Sequence, residues 1–130
     1  MDRRRVSSGA PWEDQVGYCR AVRAGDHVYV TGTIALEPDG SSHAPGDGYA
    51  QAKRCLEIIE SALLELGAGL PQVVRTRMFV TDISRWAEYG RAHAEAFGPH
   101  RPASTMVEVR RLIRDECLIE IEADAVVDRP

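Results

Sequence analysis

Between residues 52 and 66 the apolar side chains Ala52, Leu56, Ile59, Leu63 and Leu66 recur at spacings of four, three, four and three. That is the single stripe of an amphipathic helix. Asp47 suits its N-cap and Gly67 its stop, which predicts a helix over 47–66. Near the chain end Ile119, Ile121, Ala123, Ala125 and Val127 alternate with Glu120, Glu122 and Asp124, predicting a strand over 117–127 with one apolar and one carboxylate face. Two β-rich runs, 16–23 and 27–36, flank Ala24-Gly25-Asp26 and read as a hairpin with a three-residue loop. In 73–81 the alternation places Val74, Met78 and Val80 on one face and Arg75, Arg77 and Phe79 on the other. A second helix runs from Ser84 to Phe97, with Trp86, Gly90, His93 and Phe97 on one side and Gly98-Pro99 as its stop. Another strand is expected at 104–110, and the Pro-, Gly- and Ser-rich residues 37–46 form a loop.

The predicted order is β-β-α-β-α-β-β, an α+β fold in which two helices cover one face of a mixed sheet in two layers. The other face then carries Arg75, Arg77, Phe79, Glu108, Glu120 and Glu122. Mixed charge beside an aromatic suits a partly buried subunit interface, although cross-strand ion pairing on a solvated face is the alternative. Residues 1–130 are expected to form a single domain, with 1–15 as an N-terminal extension and Arg3-Arg4-Arg5 as a frayed end.

Composition narrows the functional classes. A chain of 130 residues and 14.3 kDa has a folded surface of roughly 6,800 Å² against roughly 20,700 Å² unfolded, so one core is sufficient without metal or disulfide staples. Sixteen basic residues against twenty acidic ones give a net charge of −4, which disfavours a nucleic-acid partner. Fifteen of the basic residues are arginine and only Lys53 is lysine, a bias that fits either a GC-rich genome or carboxylate recognition. Cys19, Cys55 and Cys117 include no CxxC pair, and the four histidines lack short metal spacing, so neither a disulfide framework nor a metal site is expected. With no signal peptide or membrane-spanning run, a cytoplasmic protein without membrane partners is the expectation.

The segments VGYCRAVRAGDHVYVTGTIAL, RTRMFVTDI, RPASTMVEVRRLI and LIEIEADAV, in that order and spacing, resemble the reactive intermediate deaminase (Rid, or YjgF) family across about Val16 to Val127. The resemblance implies a chorismate-mutase-like fold, a homotrimer around a central barrel, and three inter-subunit clefts that take small ligands. It further implies cofactor-free hydrolysis of imines or enamines to carbonyl compounds and ammonia. Residue by residue, it places Glu120 at the position that holds the attacking water, Tyr18 on the first strand, and Thr31 with Gly32 on the second. In the family an arginine follows the Pro-Ala before the V-E-V strand and clamps the substrate carboxylate. Here that position is Ser104, followed by Thr105. A serine hydroxyl replaces a charge-assisted contact worth roughly 1.5–3 kcal/mol.

Three arginines are candidates to replace the clamp: Arg101 just ahead of Ser104, Arg91 on the second helix, and Arg77 on an interior strand. Each also reads as an ordinary surface or ion-pairing arginine. Glu120 as a general base needs its pKa raised by burial; its structural alternative is a partner for Arg75 or Arg77. The functional expectation is a Rid-like deaminase or hydrolase of a small reactive intermediate, with Ser104 weakening action on 2-iminopropanoate-type substrates. The competing class is a non-catalytic ligand-binding, regulatory or chaperone-like trimer.

Overall fold

The computed structural model describes residues 2–128. Its elements are β1 (Arg3–Val6), α1 (Pro11–Val16), β2 (Ala21–Ala24), β3 (His27–Ile34), α2 (Gly48–Glu65), β4 (Val73–Val80), α3 (Trp86–Phe97), β5 (Ala103–Glu108) and β6 (Ile119–Val126). Six strands make one mixed sheet in the order β1-β2-β3-β6-β4-β5. Only β4 and β5 are parallel, and α3 lies in the connection between them.

The two long helices cover one sheet face, as the apolar spacing requires. Ala52, Leu56, Ile59, Leu63 and Leu66 of the α2 stripe are all buried, against Ile119, Ile121, Ala123 and Ala125 of β6 and Val28 and Val30 of β3. Asp47 caps α2 by accepting from the Ala50 N–H at 2.9 Å. At the other end Gly67 takes φ +78°, Ala68 N–H donates to the Leu63 carbonyl and Gly67 N–H to the Leu64 carbonyl. This is the double bond of a Schellman cap. The Leu66 carbonyl left over accepts from Arg4 Nη2 and Arg23 Nη1 at 3.2 and 2.7 Å, so cations from two strands complement the negative end of the helix dipole.

Several expectations change. Arg3-Arg4-Arg5 is no frayed end: it pairs with Ala24, Arg23 and Val22 as the edge strand β1. Val16 closes a short helix instead of opening a strand, because Gly17 takes the left-handed conformation at its end. The hairpin turn has two residues, Gly25 and Asp26, since Ala24 already pairs with His27. In β4 the ladder slips between Val73 and Arg75. Val73 therefore takes the core position and Val74 is exposed, while Thr76, Met78 and Val80 stay inside.

The α3 face is Tyr89, Ala92 and Phe97, whereas Trp86 is 62% exposed. Ser84 opens no α-helix: a 3₁₀ turn over Ile83–Arg85 precedes α3. Glu108 leaves the open face: it pairs in register with buried Val80 and accepts from the Ile83 N–H at 3.1 Å. Arg75, Arg77, Phe79, Glu120 and Glu122 do share the open face, where Arg77 lies 3.6 Å from Glu122 and 3.2 Å from Asp124.

Candidate functional site

The site begins with an irregularity in β3. Val30 pairs with Ala123 and Thr33 with Ile121, so Thr31 and Gly32 together oppose the single residue Glu122. Two residues against one is a β-bulge, which twists a strand and re-aims its side chains. The bulge is held from the N-terminal side. Thr31 N–H donates to the Arg20 carbonyl and Thr31 Oγ1 to the Cys19 carbonyl, at 2.9 and 2.8 Å. Arg20 Nη1 donates to the Gly32 carbonyl at 2.8 Å and to Thr33 Oγ1 at 3.1 Å.

Arg20 is itself fixed by Glu13 of α1, with Nη2 3.3 Å from Oε2, and both side chains are almost wholly buried. Glu13 also accepts from the Ser7 and Ser8 hydroxyls at 2.8 and 2.5 Å. Burial opposes the Glu13 charge, but the hydrogen bonds from Ser8 and Ser7 and the Arg20 guanidinium outweigh it, and its pKa lies below the ordinary value. The segment expected to be an extension thus forms the back wall that sets the bulge. Pro11 at the first helical position with Glu13 and Asp14 in the first turn is a helix-start signal that would have located it.

Next to the bulge on β6 stands Glu120, paired with Ile34 on β3 and Phe79 on β4. Flanked by these apolar residues, Glu120 has its pKa raised first by burial and then by the like charge of Glu122, with Arg20 pulling the other way. The carboxylate occupies the space above Gly32. A Cβ at residue 32 would fall 2.2 Å from Glu120 Oε2, so glycine is needed for the close approach of this acid.

Tyr18, Arg20, Thr31, Gly32, Ile34 and Glu120 line one open cleft of about 850 Å³, which extends to the start of α1 and to Arg114. Sequence reasoning missed Arg20, Trp12 and Arg114 as parts of this wall. The buried Arg20 carried no signal, since its place in a predicted strand suggested only alternation.

The remaining expected site residues lie elsewhere in the chain. Ser104 and Thr105 are on β5, separated from β6 by the whole of β4. The Ser104 hydroxyl accepts from Thr76 Oγ1 at 2.8 Å, and Thr76 Oγ1 is 2.8 Å from His93 Nε2. Thr105 pairs with Arg77 and so faces the open side. Arg91 stacks on Tyr49, its guanidinium carbon 3.7 Å from the ring centre, and lies 3.9 Å from Glu95. Arg101 is exposed ahead of β5. Neither Arg91 nor Arg101 lines the Glu120 cleft. Among the described residues no group of three or more His, Cys, Asp or Glu side chains is placed to hold a metal ion. Nor, among these residues, is any helix long and apolar enough to cross a membrane.

The model of the family described as Endoribonuclease L-PSP matches residues 10–127. The chain belongs to the Rid (YjgF) family. It is 39% identical to an uncharacterized Streptomyces coelicolor protein, over 94% of this chain and 90% of that one. A RutC family protein of Pyrococcus abyssi is 37% identical over 83% of this chain and 84% of its own. Among solved structures, a Mycobacterium tuberculosis member of the YjgF/YER057c/UK114 family superposes with a TM-score of 0.88 at 51% identity, covering 97% of this chain and all of that one. The E. coli TdcF structure with bound serine gives a TM-score of 0.78 at 28% identity over 85% of this chain and 88% of that one. The α+β architecture expected from the sequence is therefore the Rid architecture.

Proposed function

We propose that this Rid protein is a cofactor-free hydrolase of a small imine or enamine, working as a homotrimer whose clefts join the Glu120 wall of one subunit to the β5 edge of another. The observation that carries this reading is Glu120: a carboxyl with a raised pKa, desolvated between Ile34 and Phe79 and lodged over Gly32 in an open cleft. A carboxylate so tuned is a better proton acceptor than one in water. Glu120 takes a proton from water as the oxygen adds to the C=N carbon. It hands that proton to the nitrogen to complete the carbinolamine, then carries the hydroxyl proton to the leaving nitrogen as the C–N bond breaks, so that C=N and water become C=O and ammonia. Tyr18 and Thr31 orient the ligand from the same wall. Trimer formation unites what one chain keeps apart, because Ser104 and Thr105 lie on the edge strand. The three free thiols suit a reducing cytoplasm.

Ser104 sets the limit of the activity. Its neutral hydroxyl stands in place of a guanidinium contact worth roughly 1.5–3 kcal/mol, so turnover of 2-iminopropanoate is expected to be weak. The cleft also disfavours a phosphodiester substrate: Glu37, Asp39, Glu57, Glu65 and Glu120 line it against Arg20, Arg54 and Arg114. The same serine favours a second reading, a trimer that binds small molecules without turning them over.

Imines generated in situ by an amino-acid oxidase, with ammonia and keto-acid release followed, separate the two readings. Hydrolysis lost in Glu120→Gln with binding retained supports the enzyme; an inactive wild type that binds ligand supports the binder. A monomeric mass in light scattering would remove the shared cleft.

A further inference from the structure

Three guanidiniums reach the cleft, and they are not equivalent. Arg20 is held against Glu13, with its remaining donors on Gly32 and Thr33. Arg54 donates to the Leu36 carbonyl and lies 3.8 Å from Glu57. Among the described residues, Arg114 is the cleft guanidinium with no carboxylate within ion-pairing distance, since its neighbour Asp115 is taken by Arg111 and Glu116 receives the Ser42 hydroxyl. Arg114 is nevertheless fixed. Its Nη1 donates to the Gly40 carbonyl at 2.7 Å, with Ser42 Oγ at 3.5 Å, and its guanidinium carbon lies 4.9 Å from the centre of the Trp12 ring. One nitrogen is occupied and one face is stacked, while the Nε and Nη2 edge makes no hydrogen bond among the described residues.

We infer that Arg114, held in place by Trp12, is a carboxylate-binding residue of the Glu120 cleft. A planar Nε/Nη2 edge matches a carboxylate bidentately. Two further cleft acids, Glu37 and Glu57, already face His43 and Arg54. That an imine is also hydrolysed in this cleft rests on the hydrolase reading; the assignment of Arg114 does not. The chain thereby grips an acid from the α1 side of its cleft, whereas the β5 position presents Ser104.

The test uses Trp12 as the reporter. In a Trp86→Phe protein, Trp12 is the remaining tryptophan, and its emission responds to displacement of the guanidinium stacked on it. L-serine, L-serinamide and inorganic phosphate are titrated separately. Serine should give a saturable change, serinamide none, and phosphate a much weaker one. Arg114→Gln should weaken serine binding roughly 10- to 100-fold, the range expected for loss of a charge-assisted pair, and Arg114→Lys should recover part of it. Isothermal titration of both variants, with circular dichroism to verify folding, provides a readout independent of the indole.

Serine affinity unchanged in Arg114→Gln, serinamide binding as well as serine, phosphate binding preferred, or no saturable serine response in the Trp86→Phe protein would each overturn the assignment. Failure of the hydrolase reading looks different: no imine is turned over, yet serine binding still follows Arg114.

Discussion

The buried Glu13–Arg20 pair makes the sharpest energetic prediction, because one substitution removes a charge without removing volume. Glu13→Gln leaves Arg20 almost wholly buried with no counter-charge. Breaking such a pair costs about 3–5 kcal/mol, whereas replacing both partners by apolar groups is often far less costly. Arg20→Met should also be expensive, since it strips a donor from the Gly32 carbonyl and from Thr33 Oγ1, and unsatisfied buried acceptors cost about 1–3 kcal/mol each. The double variant should therefore lose clearly less than the sum of the two singles. Urea unfolding of the four proteins at one fixed protein concentration measures this, because self-association would otherwise move the midpoint. The pH dependence has a definite sign. Glu13 has a folded-state pKa below its ordinary value, so its stabilisation is complete above the ordinary carboxylate range and disappears as pH falls through the folded-state pKa. The gap between wild type and Glu13→Gln should close in acid. A cost below about 1 kcal/mol for Glu13→Gln at pH 7, or strictly additive singles, would refute the claim that this pair anchors the bulge.

Other variants probe other parts of the fold. Glu120→Gln should raise stability at neutral pH while abolishing hydrolysis. Its folded-state pKa is raised by burial, so the charged form weakens the fold above that pKa, and the advantage of the variant should vanish as pH falls below the ordinary carboxylate value. Gly32→Ala should change the urea midpoint little, by about 1 kcal/mol or less, because the clashing atom is the mobile end of Glu120. It should still lose turnover, which a steady-state assay beside the unfolding curve would show. Gly67→Ala should cost about 1–2 kcal/mol in the same unfolding assay, as it forces a side chain into φ +78° and places a Cβ 2.9 Å from Arg23 Nη1. Cys55 and Cys117 are buried and their thiol pKa values are pushed up by desolvation, so a thiolate-specific reagent should leave both unmodified until the chain unfolds.

What the sequence made legible was whatever local periodicity controls. The α2 stripe and the alternating apolar face of β6 are picked out by spacing alone, and both are found buried where the pattern puts them. The departures occur where one residue breaks the period. The slip at Val73–Arg75 turns Val74 outward, and α3 buries Tyr89 and Ala92 where the spacing favoured Trp86 and Gly90. Glu120 and Gly32 were visible through family resemblance, whereas the reason they belong together is a contact between β3 and β6, with residues 32 and 120 far apart in sequence.

The arginine bias resolves in the same physical terms. Its two readings were a GC-rich genome and recognition of carboxylates; several arginines do meet carboxylates, but of this chain's own: Arg20 with Glu13, Arg77 with Glu122 and Asp124, Arg85 with Glu88. Guanidinium suits that work because its fork can satisfy a carboxylate and a backbone carbonyl together, as Arg85 does with Glu88 and the Gly46 carbonyl. An arginine spent internally is unavailable to a ligand, so abundance says nothing about binding. What distinguishes Arg114 is the combination of a fixed position, a cleft and no paired acid among the described residues. A binding cation is recognised by what it leaves unpaired, and that property exists only once every competing carboxylate has been placed.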